Sequence, residues 1–400
     1  MIDFALTENQ MAVRDMARDV AGKVIAPSIA EFDRAQKVNP KVIPALAEAN
    51  LLGFCIPEKY GGLGMDYISL GLASEELEYA DTSARVILSV HIGLFSLPVL
   101  TWASEEQKQK YLAPAARGEK LATFGLTEPA AGSDAVGIQS TAVKDGDHYI
   151  LNGEKMWISL ADVADYFLVF AWTDLDKKKA RDHSGLSAFI VEREWDGVST
   201  ATIHGKLGVR AGNTGSIAFQ DVKVPAANLV YKEGQGFKIA MFCLDQGRYT
   251  VAGGSCGLIR ACRDACVDYA KERQTFTSPI AEHQLVKQMI ANMEAGYEYS
   301  SHLWMKAGWL KNQGQRSTRA TSLAKWIACR EAEEAAANAV QVFGAYGFSD
   351  EYPVERFYRN SKGASIYEGT REIHTLMQAD YALGNRFDKQ LERDLPAVEQ

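Results

Sequence analysis

The chain has 400 residues, of which 47% are hydrophobic and 24% are charged, and its formal net charge is -8. This composition predicts a globular protein of two or three domains and disfavours a disordered chain. The acidic balance disfavours nucleic acid and anionic membranes as main partners, because both select for basic surfaces.

Residues 1–120 are predicted to form an all-helical domain. The Thr-Glu-Asn-Gln run at Thr7 and the Ser-Glu-Glu-Gln run at Ser104 are typical of helix starts with an N-cap side chain. After Thr7, apolar residues recur at spacings of three and four, as on one face of a helix. Asn39-Pro40 and residues 57–64 interrupt the pattern.

Residues 121–232 are predicted to form a β domain, because the apolar period changes to two. Asp145-Gly146, Asn152-Gly153 and Asp196-Gly197 are expected to be turns. The strands follow one another without crossover helices, which predicts an antiparallel barrel or sandwich. The clearest strand runs are residues 149–151, 166–170, 188–191 and 216–219.

Residues 233–400 are predicted to form a helical bundle. Long helical patterns run from Gly236 to about Leu383, with breaks near Pro279, Gly314 and Pro353. Long helices with short connections pack antiparallel. The predicted fold class is therefore α+β, with a helical domain, a β domain and a helical bundle in that order.

The six cysteines form no Cys-x-x-Cys pair and lie far apart, which predicts buried, reduced thiols. Cys262 and Cys266 lie one helical turn apart, but no further ligand completes a zinc site, so we predict no metal. Residues 1–10 lack a secretory or transit pattern, and no stretch approaches the roughly 20 apolar residues of a membrane helix. We expect a cytoplasmic protein, or a mature form without its presequence, and no membrane partner.

The usual catalytic motifs are missing. The sequence contains no Walker A loop, no Gly-x-Gly-x-x-Gly after a strand, no His-Glu-x-x-His and no Gly-x-Ser-x-Gly. Hydrolases and metalloenzymes are therefore disfavoured.

Three segments remain that composition does not explain. They are Phe-Gly-Leu-Thr-Glu-Pro-Ala-Ala-Gly-Ser-Asp at residues 124–134, Lys-Met-Trp-Ile-Ser at 155–159 and Ile-Tyr-Glu-Gly-Thr at 366–370. In this order and at these separations they resemble acyl-CoA dehydrogenases, and the resemblance runs from Phe4 to about Gly384. It implies an FAD enzyme that oxidises a coenzyme A thioester to the enoyl-CoA.

By this resemblance, Leu126 and Thr127 line the flavin pyrimidine edge, Trp157 packs on the ring and the Ser159 hydroxyl approaches flavin N5. From the residues alone, Trp157 would be a core aromatic. Ser133 resembles a residue that binds the pantetheine or phosphate end of substrate and cofactor. Further FAD contacts, some of them to the cofactor of a neighbouring subunit, are expected from Phe124, Arg273, Phe276, Gln284, Gln341, Gly344, Thr370 and Glu372.

Glu368 is the predicted catalytic base. An α-proton beside a thioester is weakly acidic, so its removal needs a positioned carboxylate and stabilisation of the enolate oxygen. The resemblance assigns these roles to Glu368 and its backbone N–H. Gly369 permits close backbone approach, and burial is expected to raise the pKa of Glu368. From the residues alone, Glu368 could instead be an acid at a helix N-terminus.

Some relatives carry their base at the position of Gly247, which cannot accept a proton. Arg248 resembles an arginine that orients the catalytic carboxylate. Asp245 resembles a residue near the pantetheine, and Tyr367 is expected to contact the substrate.

Arg85 and Ser89 bear on the substrate. The segment around them aligns with glutaryl-CoA dehydrogenases, where an arginine at this position binds the distal carboxylate of the substrate. A buried arginine also needs a partner, and Glu78 could be that partner with no substrate involved. The sequence leaves open a carboxylate-bearing acyl-CoA and an uncharged short or branched one.

The resemblance further implies a homotetramer and electron-transfer flavoprotein as the electron acceptor. Since a fold does not fix the acceptor, an acyl-CoA or nitroalkane oxidase stays open. A flavin monooxygenase or a non-catalytic CoA or flavin binding protein is disfavoured, because neither needs Glu368.

Overall fold

The computed structural model describes residues 5–393, so residues 1–4, which include Phe4 at the start of the family resemblance, and residues 394–400 lie outside the described part. The N-terminal domain is helical, as predicted, and Thr7 and Ser104 each form a capping box at a helix start. Its helices are α1 (Glu8–Val20), α2 (Ile29–Ala35), α3 (Val42–Glu48), α4 (Tyr67–Ala80), α5 (Thr82–Leu88), α6 (Leu97–Trp102), α7 (Glu105–Gln107) and α8 (Ala113–Ala116).

Helices α5 and α6 are joined without a break by a π-helical segment, Ser89–Ser96. The whole rod, Thr82–Trp102, is long and apolar enough to cross a membrane, which corrects the expectation that no such stretch exists. Within the protein, 94% of its apolar window is buried. Its apolar character is therefore explained by its place in the core, where it packs against the longest helix of the bundle.

The central domain is a seven-stranded sheet in which most neighbours are antiparallel. The predicted strands are confirmed, but β1 pairs with β4 in parallel, against the expectation of purely antiparallel pairing. The Asn152-Gly153 pair is a bulge inside β3 and not a turn. The strands are β1 (Ala122–Gly125), β2 (Thr141–Asp145), β3 (His148–Ser159), β4 (Tyr166–Trp172), β5 (Leu186–Glu192), β6 (Val198–Thr202) and β7 (Thr214–Pro225). A short helix, α9 (Leu175–Ala180), lies between β4 and β5.

The C-terminal part is a helical bundle, as predicted, built on a helix of 37 residues. Its elements are α10 (Gly236–Glu272), β8 (Gln274–Thr275), β9 (Ser278–Pro279), α11 (Gln284–Asn312), α12 (Thr318–Phe343), α13 (Val354–Ala364) and α14 (Arg371–Ala382). Helix α10 packs so closely on α4 that a Cβ at Gly257 would lie 2.0 Å from the Glu75 carbonyl oxygen. All six cysteines are free and buried, as predicted.

Candidate active site

The loop between α13 and α14 holds Glu368 in a left-handed backbone conformation, with φ of 55°. Such a conformation is unfavourable for a residue with a side chain and persists only where its surroundings enforce it. Two buried cations hold the loop. Arg248 Nε of α10 donates to the Glu368 carbonyl oxygen at 3.0 Å, and Lys325 Nζ of α12 donates to the Gly369 carbonyl oxygen at 2.7 Å.

The Glu368 carboxylate is poorly satisfied for a buried acid. Oε1 accepts one hydrogen bond, from Ser89 Oγ at 3.3 Å, and Oε2 is buried with no partner among the described residues. Burial raises the pKa of Glu368 to about 7, although Arg85, Lys325 and Arg248 oppose the shift. A carboxylate with this pKa is basic enough to accept a proton at neutral pH, where about half of it is still ionised.

Gly247 of α10 makes room for this carboxylate. A Cβ at this position would lie 1.9 Å from Glu368 Oε2. Because that distance is far below van der Waals contact, the carboxylate can occupy its present position only opposite a glycine. Gly247 supplies no alternative base, as the sequence predicted.

Arg85 is held by protein groups close to the base. Its Nε donates to Glu78 Oε2 at 2.6 Å and its Nη2 donates to the Tyr367 hydroxyl at 2.5 Å, with Arg85 and Glu78 both fully buried. Ser89 Oγ also lies 2.5 Å from Thr250 Oγ1. The structure therefore brings Arg85, Ser89 and Tyr367 to Glu368 and gives Arg85 the partner that the sequence left open. The other two predicted substrate residues, Ser133 and Asp245, make no hydrogen bond or ion pair with Glu368 in the described chain.

Lys325 and His374 were missed by the sequence interpretation. His374 is fully buried, its Nδ1 lies 2.9 Å from Ser322 Oγ, and burial together with Lys325 lowers its pKa to about 2. Both residues lie within regular helices, at positions that the sequence pattern assigns to the buried face. The only sequence signal for His374 was its place in the first turn after the Thr370 N-cap.

A cavity of about 530 Å³ opens beside Asp245, three residues before Arg248 on α10. Asp245 accepts hydrogen bonds from Arg248 Nη1 at 3.4 Å and Thr318 Oγ1 at 2.5 Å. Five cationic side chains line the cavity, against the carboxylates of Asp245 and Glu392. They are Lys238, Lys311, Arg316, Lys389 and Arg393. The lining is thus strongly basic within an acidic protein, which favours an anionic ligand.

The predicted flavin residues of the β domain lie on β1, in the loop that follows it and at the end of β3. Met156 N donates to the Thr127 carbonyl oxygen at 2.9 Å, which places Trp157 beside Thr127. Trp157 is 58% exposed, with φ of 61° in a bulge of β3. The hydroxyls of Thr127 and Ser159 make no hydrogen bond within residues 5–393, so an exposed aromatic face and two free donors can receive a planar ring with polar edges.

The remaining residues beside this face differ in accessibility. Leu126 is buried, the Phe124 ring packs inward on Phe170 with centroids 5.2 Å apart, and Ser133 is exposed in its loop. The Phe124 side chain therefore packs against the core and is half-buried.

A second group of predicted FAD residues lies on the β8–β9 hairpin and the nearby helix ends. The Arg273 guanidinium lies 5.8 Å from the Tyr346 ring centroid, which brings it close to the loop after Gln341 and Gly344. Phe276 is 91% exposed, and Gln284 is exposed at the start of α11. No hydrogen bond, ion pair or ring contact in the described chain joins this group to Glu368.

Thr370 and Glu372 have local roles in the fold. Thr370 is the N-cap of α14 and accepts from Ile373 N at 3.3 Å, while Glu372 pairs with Arg371. Glu368 is therefore not the N-cap acid that its position alone allowed. The expected cofactor contacts of Thr370 and Glu372 stay predictions.

Three family models match the chain in order. The acyl-CoA dehydrogenase N-terminal domain matches residues 7–119, the middle domain residues 123–222 and the C-terminal domain residues 234–383. The chain belongs to the acyl-CoA dehydrogenase family. The resemblance in the sequence is thereby confirmed, together with the three-domain fold. The protein is an FAD-dependent oxidoreductase, as its family is.

Two curated bacterial relatives are similar over nearly their whole length. An acyl-CoA dehydrogenase of Bacillus subtilis is 40% identical over 379 residues, which cover 95% of this chain and 99% of the relative. A short-chain specific acyl-CoA dehydrogenase of Clostridium acetobutylicum is 39% identical and covers 94% of this chain and 98% of its own.

Solved structures agree with this assignment. Butyryl-CoA dehydrogenase from Megasphaera elsdenii superposes with a TM-score of 0.93 at 38% identity, covering 96% of this chain and all of that one. A glutaryl-CoA dehydrogenase bound to glutaryl-CoA has a TM-score of 0.92 at 35% identity, covering 97% and 99%. A glutaryl-CoA dehydrogenase from Mycobacterium smegmatis, at 29% identity, a TM-score of 0.89 and 97% coverage of both chains, is in complex with FADH2.

Proposed function

We propose that this acyl-CoA dehydrogenase uses Glu368 to remove the α-proton of a short acyl-CoA. The observation that carries the proposal is the buried Glu368 carboxylate, whose Oε2 has no partner and whose pKa is raised to about 7. Unsatisfied buried oxygens are rare in folded proteins and point to a strained or chemical role. Neighbouring carboxylates such as Glu78 are fully paired.

The chain's own groups have distinct parts in the proposed reaction. Oε2 of Glu368 takes the proton, and Arg248 and Lys325 keep the loop in place while it does so. The Glu368 backbone N–H makes no hydrogen bond in residues 5–393, so it is free to donate to the thioester oxygen as negative charge develops there. FAD, held by Thr127, Trp157 and Ser159, supplies the hydride acceptor when bound.

The basic cavity beside Asp245 suits the coenzyme A part of the substrate. Met241 and Asp245 of α10 line this cavity. Gly247, which lies against Glu368, follows Asp245 by two residues on the same helix. Five cations against two carboxylates favour a ligand that carries several phosphate charges.

We propose a short, uncharged acyl group as the first substrate class. Arg85 is already bound by Glu78 and Tyr367, so binding a substrate carboxylate would require it to give up a buried partner. The similarity to short-chain and butyryl-CoA dehydrogenases supports this choice. A dicarboxylic acyl group, of the glutaryl or substituted succinyl type, is the second candidate, because Arg85 lies close enough to Glu368 to oppose the rise of its pKa.

Electron-transfer flavoprotein is the proposed electron acceptor. A structure from work on the electron transferring flavoprotein of Acidaminococcus fermentans superposes with a TM-score of 0.93 at 42% identity, covering 96% of this chain and all of that one. A homotetramer is also proposed. Phe276 and Phe348 project from the hairpin and the neighbouring loop, 91% and 89% exposed, and a partner subunit would cover them.

The deciding experiment is an anaerobic screen of acyl-CoA thioesters for bleaching of the bound flavin. We expect butyryl-CoA to bleach it within the dead time of manual mixing and glutaryl-CoA to act more slowly. If no thioester bleaches the flavin, the proposed reaction is wrong. Fast reoxidation of the bleached flavin by air, without a protein acceptor, would identify an oxidase.

Arg85→Met separates the two substrate classes. On the first proposal it leaves Glu78 buried without its partner, so we expect the free energy of unfolding to fall by about 3 to 5 kcal/mol and butyryl-CoA and glutaryl-CoA oxidation to fall by similar factors. Melting temperature and kcat/KM for both thioesters measure this. A selective loss with glutaryl-CoA, at unchanged stability, would establish carboxylate recognition.

A further inference from the structure

The chain continues past the end of its family match. The C-terminal family model ends at residue 383, and the described chain extends to Arg393. We name residues 385–393 the C-terminal strap. It follows α14, and its residues from Lys389 to Arg393 line the basic cavity.

The strap is anchored at several points along its length. The Tyr381 hydroxyl donates to Asp388 Oδ1 at 2.6 Å, and Glu392 forms an ion pair with Lys238 of α10. At its end, the Arg393 guanidinium lies 4.5 Å from the Tyr231 ring centroid, and Nη1 donates to the Thr101 carbonyl oxygen at 3.3 Å. The strap thereby connects α14, α10 and α6 across the cavity.

The strap changes the charge of the cavity. Without it, three cations line the cavity, and the strap adds Lys389 and Arg393 against one carboxylate, Glu392, which Lys238 neutralises. Lys389 is exposed and makes no hydrogen bond or ion pair in the described chain. Arg393 has aromatic and carbonyl partners but no carboxylate. Neither cation thus forms an ion pair with a carboxylate in residues 5–393, although Arg393 lies close enough to Glu392 to help lower the pKa of that carboxyl.

We propose that the strap is part of the substrate site and that Lys389 and Arg393 bind the phosphates at the nucleotide end of coenzyme A. This inference rests on the proposed function. It assigns part of the binding energy of coenzyme A to a segment outside the family match. The pantetheine arm and a short acyl group are uncharged, so they cannot use these cations. The strap therefore discriminates between a complete coenzyme A thioester and a thioester that lacks the nucleotide.

The test compares two substrates of one enzyme. In Lys389→Gln/Arg393→Gln holoenzyme, we expect kcat/KM for butyryl-CoA to fall about tenfold, mainly through KM, as for the loss of two partly exposed charge contacts. Butyryl-pantetheine, which has no phosphates, should react at an unchanged rate. Lys223→Gln is the matched control and should leave both substrates unaffected, because the Lys223 side chain is exposed on β7 and makes no hydrogen bond or ion pair in residues 5–393.

Calorimetric measurement of coenzyme A binding tests the role of the strap independently of the oxidation reaction. The double variant should bind coenzyme A about tenfold more weakly and pantetheine as the wild type does, even if no thioester is oxidised. Equal losses for butyryl-CoA and butyryl-pantetheine would make the strap a structural element, and unchanged affinity for coenzyme A would overturn the proposal. A chain ending at Gly384 should reproduce the double variant if the phosphates are the target.

Discussion

Glu368 and Glu128 are both carboxylates that the fold removes from water, and their surroundings drive their pKa values in opposite directions. Glu128, after β1, accepts from Lys155 Nζ at 2.7 Å, Ser140 Oγ at 2.6 Å and two backbone N–H groups. Burial alone would raise the pKa of Glu128, but Lys155 and these hydrogen bonds bring it below its ordinary value. Glu368 has one long hydrogen bond and a pKa of about 7.

The comparison shows that the pKa of a buried carboxylate depends on its hydrogen-bond donors as well as on its burial. A buried carboxylate with four donors is fixed as an anion and serves the fold, while one with a single donor keeps its proton affinity and is available for chemistry. Lys155 Nζ also lies 3.3 Å from the Leu126 carbonyl oxygen. The Glu128 pair therefore holds the strand end that is predicted to contact the flavin.

The largest effect is expected for Glu368→Gln. This variant keeps the shape of the side chain and removes its proton affinity, so flavin reduction by butyryl-CoA should slow by a factor of about 10³ or more. Stopped-flow absorbance measures the rate, and calorimetry with coenzyme A checks that binding survives. Glu334→Gln, an exposed position on α12, is the control. A variant that keeps a tenth of the wild-type rate would assign the base elsewhere.

Lys155→Met should affect stability instead of chemistry. It leaves Glu128 buried without its cation, so we expect the free energy of unfolding to fall by about 3 to 5 kcal/mol. Adding Glu128→Gln should restore part of this loss, because the unpaired charge is then removed. Denaturant unfolding of both variants measures the effect. A Lys155→Met protein as stable as the wild type would show that the pair is not buried as described.

The pH dependence of stability gives the smallest and most specific difference. The folded-state pKa of Glu368 is raised from 4.5 to about 7, so its ionisation destabilises the fold as pH rises from about 4.5 to 7. Glu368→Gln should therefore be more stable than the wild type at pH 8, by on the order of 3 kcal/mol, and equally stable near pH 4.

Glu128 has the opposite sign, because its lowered pKa gives a stabilisation that is present above pH 4.5 and lost as the pH falls. In melting curves measured from acidic pH to pH 8, Glu368→Gln should gain stability relative to the wild type as the pH rises from about 4.5 to 7, whereas Glu128→Gln should lose stability relative to the wild type as the pH rises towards 4.5. Parallel curves would contradict the contrast between the two sites.

The sequence predicted local structure well where a short pattern decides it. The capping boxes at Thr7 and Ser104 and the period-two runs of the β domain depend on neighbouring residues alone. The parallel pairing of β1 with β4 and the bulge at Gly153 depend on partners far along the chain, so no local sequence pattern predicted them. Gly153 resembled a turn because a positive φ serves both structures.

The site was predicted in the same uneven way. The family motifs pointed to Glu368, Arg248 and the residues predicted to face the flavin, since each lies in a recognisable segment. Lys325 and Lys155 look like ordinary helix and strand residues in the sequence. Their roles appear only when the fold brings α12 to the Gly369 carbonyl oxygen and β3 to Glu128.

Gly247, opposite Glu368, restricts how the proposed catalytic base could move to another position in the chain. A side chain at Gly247 and the present position of the Glu368 carboxylate exclude one another, since a single added carbon would lie 1.9 Å from Oε2. Moving the base to α10 therefore needs two substitutions at once, the loss of Glu368 and the gain of an acid at Gly247. An intermediate with only the first change has no base, and one with only the second displaces the base that it has. The two arrangements are separated by a barrier that stepwise mutation with retained activity cannot easily cross.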